Sequence, residues 1–133
     1  MALKVRTTKP QYWIDYDRDG GSARFLVSPL TPEELNSLLE KRRSYEWDRN
    51  QRFEKLDVYG FRLDKVSAVV LDWEGLTDES GKDLPCDREH KVMLFQHEPE
   101  LVDWLQEQAE AMAKRHEEEA KTARKNSGTG RKA

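Results

Sequence analysis

The apolar residues of this chain are dispersed, and no unbroken apolar run is longer than four residues, as in Ala68–Leu71. A membrane-spanning helix needs about 20 apolar residues, and a secretory signal needs an apolar segment of about 7–15. The sequence therefore predicts neither, and each helix or strand must bury one face and expose the other. Because the single Cys86 cannot form an internal disulfide, we expect a reducing, cytoplasmic setting.

The composition predicts one small core beneath a heavily charged surface. Charged side chains make up 37% of the 133 residues, against about 25% in an average protein, and only 36% are hydrophobic. A net charge of −3 is too near balance for a general nucleic-acid binder. We predict a flexible N-terminus over residues 1–10, a single α+β domain over residues 11–120, and a basic disordered tail over residues 121–133. The tail lacks interleaved aromatic residues, so a solubilising role is favoured over nucleic-acid binding.

The first half of the chain predicts a β-hairpin followed by helices. Gln11–Tyr16 and Ala23–Val27 resemble strands, and residues 17–21 form an Asp- and Gly-rich turn. Thr31-Pro32-Glu33-Glu34 predicts a helix start with a capping box, and this helix is expected to end near Tyr45. A second short helix is predicted for the polar stretch that carries Trp47, Phe53, Leu56 and Tyr59.

The second half of the chain contains its most apolar part, residues 61–75. A buried helix is favoured there, with Asp64, Lys65 and Asp72 on the polar side, although the β-branched content also permits a strand. A loop follows, and Asp87 is predicted to cap a further helix. The last helix is predicted to begin at Pro99, with disorder from Asn126 onward. Its apolar stripe consists of Leu101, Val102, Leu105, Ala109, Met112 and Ala113.

One acidic segment, residues 15–20, begins like a calcium-binding loop. Asp15, Asp17, Asp19 and Gly20 have the spacing of an EF-hand start. The twelfth position should carry a bidentate acid, but it is Leu26. An acidic hairpin turn is therefore favoured over a calcium site.

The histidines and the cysteine do not form a recognisable chemical motif. Cys86, His90 and His97 lack the paired close spacings of a zinc site. Cys86 and His90 are close enough in sequence to approach, but no Gly-rich catalytic turn or oxyanion-hole pattern accompanies them. We therefore predict no catalytic residue, no metal site and no cofactor, and hence a protein that is not an enzyme.

A distinctive pattern lies at residues 69–89: an apolar run, Trp-x-Gly, an Asp-rich turn with a second Gly, an apolar-Pro step, and a capped helix that carries Glu. This pattern resembles a motif of the tail assembly chaperones of tailed bacteriophages, of the lambda-like siphophage type. The matching residues are Trp73, Gly75, Asp78, Gly81, Leu84, Pro85 and Glu89.

The resemblance implies a role in phage tail assembly without chemistry. Such chaperones bind the tape-measure protein, keep it soluble, and recruit tail-tube subunits around it in the host cytoplasm. Many are made in two forms by a programmed frameshift. The alternatives are a structural virion component, such as a tail or head–tail connector subunit, and a small regulatory or nucleic-acid-associated protein.

A partner surface is expected among the aromatic and apolar residues. The four tryptophans must divide between the core and such a surface, where Trp is enriched. A homo-oligomer is also possible. The candidate partner-binding residues are Trp47, Leu101, Trp104, Leu105 and Met112.

Overall fold

The structure, a computed structural model, describes residues 2–5 and 7–129 and has a mixed α+β fold. Its strands are β1 (Tyr12–Arg18), β2 (Gly21–Val27), β3 (Arg43–Asp48), β4 (Gln51–Leu56) and β5 (Val70–Glu74). Its helices are α1 (Pro32–Arg42), α2 (Val58–Val69), α3 (Arg88–His97) and α4 (Pro99–Thr129). The predicted fold class and the N-terminal hairpin are confirmed.

The main sheet has three antiparallel strands in the order β1-β2-β5. Its first hairpin turns at Asp19 and Gly20, which have φ values of 51° and 80°. Two consecutive positive φ values define a type I′ turn, for which Asp-Gly is a preferred pair. The Asp- and Gly-rich segment is thus the hairpin turn that the sequence predicts.

The core lies between this sheet and helices α2, α3 and α4. The sheet contributes Ile14, Ala23, Phe25, Val27, Val70 and Trp73, and the helices contribute Val66, Val69, Leu94, Leu101, Val102, Leu105 and Ala109. The predicted caps position these helices: Thr31 and Glu34 form the capping box of α1, and Asp87 caps α3.

Residues 61–75 contain both a helix and a strand, the two structures that the sequence permits in this segment. Helix α2 ends at Val69, and the chain continues directly into β5. The carbonyl of Val69 accepts a hydrogen bond from the Ser28 amide at 2.9 Å, and Trp73 then pairs with Phe25 across the sheet. The preferred helix is therefore wrong for residues 70–74, because the free edge of β2 recruits them as a strand.

The predicted second short helix is wrong. After α1 ends at Arg42, strands β3 and β4 form an antiparallel hairpin in place of helical turns. Its two-residue turn, Arg49-Asn50, has φ values of 51° and 64°. The turn contains no glycine, so its sequence does not have the usual hairpin signature.

The C-terminal region also differs from its prediction. Helix α4 continues through Thr129, whereas a disordered tail was predicted from residue 121. The Ala-, Lys- and Arg-rich composition of residues 120–125 favours continued helix. Residues 130–133 of the predicted tail lie outside the described residues.

The described parts of the predicted N-terminal segment, residues 2–5 and 7–10, contain no helix or strand. The Lys9 ammonium lies 3.0 Å from the Glu34 carboxylate, and the Ser28 hydroxyl donates to the Pro10 carbonyl at 2.9 Å. In the part of the chain that the structure describes, no helix is long and apolar enough to cross a membrane.

Candidate functional site: an exposed aromatic arm

The hairpin of β3 and β4, residues 43–56, exposes several large apolar side chains, and we call it the arm. Among the described strands, β3 and β4 pair only with each other. Every residue of β4 is exposed, as is every residue of β3 after Arg43. Trp47 retains 72% of its accessible surface. The exposed apolar residues of the arm are Tyr45, Trp47, Phe53 and Leu56.

The register of the arm sorts these residues onto two faces. Because Tyr45 pairs with Glu54 and Trp47 with Arg52, both aromatic side chains lie on one face, together with Leu56. Phe53 lies on the other face, opposite Glu46. One face of the arm is thus an apolar strip bordered by charges.

Charged side chains of the arm hold it together. The Arg52 guanidinium stacks on the Tyr45 ring at 3.7 Å, and Lys55 pairs with Glu46 at 2.8 Å. Arg43 forms a salt bridge with Glu54. A two-stranded hairpin with no third strand or helix against it is only marginally stable in water. A partner that covered the apolar face would therefore stabilise the arm.

An ion network fixes the arm at its root. The Arg42 guanidinium donates two hydrogen bonds to Asp64, at 2.7 and 3.1 Å, and Asp64 is only 4% exposed. Asp57 pairs with Arg42 at 3.3 Å and caps α2 through the Gly60 amide. Arg88 adds a third contact to Asp64, at 3.3 Å.

This network corrects the placement of Asp64, which the helical pattern had put on the polar side of α2. The carboxylate is buried between α1 and α3, which supply its two arginines. The hydrogen bonds from Arg42 hold the pKa of Asp64 below its usual range, although burial acts in the opposite direction. The position of Asp64 within the most apolar stretch is a sequence signal of burial. Its arginine partners are distant in sequence, so no local pattern identifies them.

A shallow groove continues the apolar surface from the root of the arm. It has a volume of about 480 Å³ and is lined by Val58, Tyr59, Arg62, Phe95, Pro99, Val102 and Asp103. The Tyr59 and Phe95 rings meet edge to face, with centroids 5.2 Å apart. Arg62 and Asp103 approach to 3.5 Å. The groove therefore combines an apolar floor with one charge of each sign.

The residues that carry the family resemblance form the connection between β5 and α3. Trp73 is buried, and its indole N–H donates to the Leu84 carbonyl at 2.8 Å. Gly75 has φ +83°, and a Cβ there would lie 3.0 Å from the Ser22 carbonyl oxygen. Only glycine combines that conformation with so close an approach of another strand.

The rest of this connection is held by its own hydrogen bonds. One oxygen of Asp78 accepts from the Ser80 and Lys82 amides at 2.9 and 3.0 Å. These bonds and that of the Ser80 hydroxyl lower the pKa of Asp78. Gly81 supplies a second positive φ, while Pro85 and Glu89 are exposed. These hydrogen bonds thus fix the shape of the loop that connects β5 and α3.

The structure separates the five candidate partner-binding residues. Leu101 and Leu105 are almost fully buried, which corrects their assignment to an outer surface: the stripe of α4 faces the core. Trp104 is half-buried and packs on Tyr16 with ring centroids 4.9 Å apart. Met112 packs partly against the core. Trp47 lies in the arm, and it is the candidate that is largely exposed.

Three of the residues considered above for metal binding or catalysis are Asp15, Cys86 and His90, and the structure shows the surroundings of each. Asp15 pairs with Arg24 at 3.3 Å. Burial raises the pKa of the Cys86 thiol, which favours the less nucleophilic protonated form. His90 lies 2.6 Å from the Asp87 carboxylate. Within residues 2–5 and 7–129, the structure contains no group of three or more acidic, histidine or cysteine side chains that could hold a metal.

In comparison with protein families, residues 62–126 match the family described as YdaY prophage protein. This segment runs from α2 through β5 and α3 into α4, so it includes the Trp73–Glu89 connection but not the arm. No curated protein and no solved structure matches the chain. The match covers residues 62–126, just under half of the chain, and it supports a phage origin.

Proposed function

We propose that this protein is a phage tail assembly chaperone that acts in the host cytoplasm. In this role it binds the tape-measure protein, keeps it soluble, and helps recruit tail-tube subunits. The observation that carries the proposal is the arm, which exposes Trp47, Tyr45 and Leu56 on one face. The prophage family match and the resemblance of residues 69–89 to tail assembly chaperones support the same role.

The physical requirements of the task fit the surface of this chain. A tape-measure protein presents a long apolar helical face, which would aggregate if it stayed uncovered. The apolar strip of the arm and the adjoining groove offer places where such a helix can dock. The many charged side chains on the remaining surface would keep the complex in solution.

Co-expression tests the proposal most directly. The chain is produced together with a tape-measure protein encoded by the same phage or prophage, and the soluble fraction is captured through a tag on this chain. We expect the wild-type chain to keep that protein soluble and to retain it. Trp47→Ser should reduce the retained amount about tenfold or more, because central aromatic anchors contribute about 2 kcal/mol or more to an interface.

Trp13→Ser is the matched control. Trp13 is also a partly exposed strand tryptophan, but it lies on β1, in the main sheet and outside the arm. We expect this variant to retain the partner as the wild type does. Equal loss in both variants would show that the arm is not the binding surface, and no retention by the wild type would contradict the proposal itself.

Particle analysis separates a chaperone from a structural virion component. A chaperone should be absent from purified phage particles, whereas a connector or tail subunit should be present in stoichiometric amounts. Mass spectrometry of purified particles makes the measurement. Stoichiometric recovery of this chain would replace the chaperone proposal with the structural one.

A further inference from the structure

Among the described strands, none pairs with the outer edge of β3 or of β4, and the turn determines which backbone groups face outward. Asp48 and Gln51 adjoin the two-residue turn and are the first hydrogen-bonded pair of the hairpin. In an antiparallel ladder such pairs alternate with non-hydrogen-bonded ones. The N–H and C=O groups of Arg52, Glu54 and Leu56 therefore point away from β3, toward the free edge of β4.

This pattern restricts how β4 can pair with β4 of a second copy. Antiparallel pairing about a two-fold axis must place outward-facing residues opposite one another, so the registers that pair at least three residues of each strand have the axis at residue 52, 53, 54 or 55. An axis at 55 sets Lys55 against Lys55. An axis at 52 sets Arg52 against Arg52, and an axis at 54 sets Glu54 against Glu54. An axis at Phe53 sets Arg52 against Glu54 of the second copy, twice by symmetry.

The Phe53-centred register is also complementary at its other positions. Phe53 meets Phe53 of the second copy at a non-hydrogen-bonded pair, where Cα atoms lie about 4.5 Å apart and side chains are closest. Gln51 falls opposite Lys55 of the second copy, so no like charges oppose one another. An edge strand with this self-complementary pattern fits a copy of itself.

We propose that this protein forms a two-fold dimer in which the β4 strands pair at Phe53, making a four-stranded sheet in the order β3-β4-β4-β3. The pairing supplies the additional strands that an isolated hairpin lacks. It also places both Tyr45–Trp47 faces on the same side of the sheet, because opposite residues of an antiparallel pair share a side. The proposal goes beyond the chaperone role and does not depend on it.

Cysteine cross-linking tests the register. In a Cys86→Ser background, Phe53→Cys places two thiols on the axis, at a separation that permits a disulfide. We expect mild oxidation to convert most of this variant to a covalent dimer on a non-reducing gel. Tyr45→Cys in the same background is the matched control, since Tyr45 would sit on the axis if β3 formed the interface. Cross-linking of Tyr45→Cys in preference to Phe53→Cys would overturn the β4 pairing.

A charge exchange tests the complementarity without adding a thiol. Glu54→Arg and Arg52→Glu each replace two attractive pairs with two repulsive ones, so each should raise the dimer Kd roughly tenfold or more. An equimolar mixture of the two variants restores both opposite-charge pairs, and we expect it to dimerise again. Sedimentation velocity of the isolated chains measures all three samples together with the wild type.

The rescue by mixing shows that both variants are folded. A monomeric wild type, unchanged dimerisation of the single variants, or a mixture that stays monomeric would each overturn the dimer. These experiments contain no tape-measure protein. Their failure would leave the chaperone proposal standing, and failure of the co-expression test would leave the dimer standing.

Discussion

The arm and the segment Trp73–Glu89 each contain a tryptophan, but they use it in opposite ways. Trp73 is 6% exposed, and its indole N–H is bonded to the Leu84 carbonyl within the connection. Trp47 is 72% exposed and lies on a hairpin that the described residues, 2–5 and 7–129, leave largely uncovered. The same residue type therefore completes the fold in one region and is available to a partner in the other.

The difference extends to how the two regions satisfy their polar groups. The connection is closed by Asp78 and by backbone bonds such as Leu84 to Leu76 at 2.9 Å. The arm keeps free backbone groups along its edges and relies on exposed ion pairs such as Lys55–Glu46. Exposed pairs contribute little, about 0–1 kcal/mol each. The connection satisfies its polar groups within itself, whereas the arm does not. A binding partner would therefore contact the arm.

The largest expected effect comes from truncating Trp73, and truncation of Trp47 is the comparison. Trp73→Ala should lower the free energy of unfolding by about 3–5 kcal/mol, because it leaves a cavity in the core and removes the donor to Leu84. Trp47→Ala should change it by less than about 0.5 kcal/mol, as expected for a surface substitution. Urea denaturation of both variants makes the measurement. Similar losses would show that Trp47 is part of the fold, which would remove the contrast.

Substitutions at the root of the arm are expected to lower the free energy of unfolding by a smaller amount. Asp64→Ala leaves Arg42 without its buried partner and should cost about 2 kcal/mol, less than a fully buried pair because Arg42 keeps partial contact with solvent. Urea denaturation measures this loss in the free energy of unfolding. Asp57→Ala should cost about 1 kcal/mol, as for the loss of an N-cap. A larger loss for Asp57→Ala would show that the cap, rather than the buried carboxylate, holds the root.

The same carboxylate predicts a pH dependence. Because Arg42 lowers the pKa of Asp64 in the folded state, its contribution is fully present above the unfolded value of about 3.9. It is lost as the pH falls through the lower folded pKa. Asp64→Asn should therefore lose stability less steeply than the wild type below about pH 4. Parallel acid-unfolding curves followed by circular dichroism would contradict this assignment.

The two glycines of the connection give a further comparison. Gly75→Ala forces a left-handed conformation on a residue with a side chain, against the Ser22 carbonyl, and should cost about 1–3 kcal/mol. Gly81 also has a positive φ, but its surroundings are open, so Gly81→Ala should cost about 1 kcal/mol. The losses of stability of the two variants, measured by thermal unfolding, separate the effect of steric contact from that of backbone strain. Equal losses would show that strain alone accounts for both glycines.

Sequence patterns succeeded where the determining contacts are local. The Asp19-Gly20 turn and the caps at Thr31 and Asp87 each depend on residues within four positions, and the structure confirms all three. They failed for the arm because Arg49-Asn50 adopts a hairpin turn without glycine. Its apolar residues, spaced as in Phe53 and Leu56, also imitate a helical period.

The remaining differences come from contacts that are distant in sequence. Asp64 is buried because α1 and α3 bring arginines to it, and no local pattern contains that information. Leu101 and Leu105 belong to the core because the sheet packs on α4, whereas a helical stripe alone does not say whether it faces the core or a partner. For the same reason the sequence could nominate Trp47 as a binding residue but could not distinguish it from these two.

The closure at the root of the arm makes this hairpin a separable part of the protein. The Asp57 amide donates to the Arg42 carbonyl at 3.1 Å, so the chain leaves the body and returns to it at almost the same point. Residues 43–56 can therefore be shortened, lengthened or exchanged without moving α1 relative to α2. Such a layout would allow the sequence and length of the arm to change in evolution independently of the core.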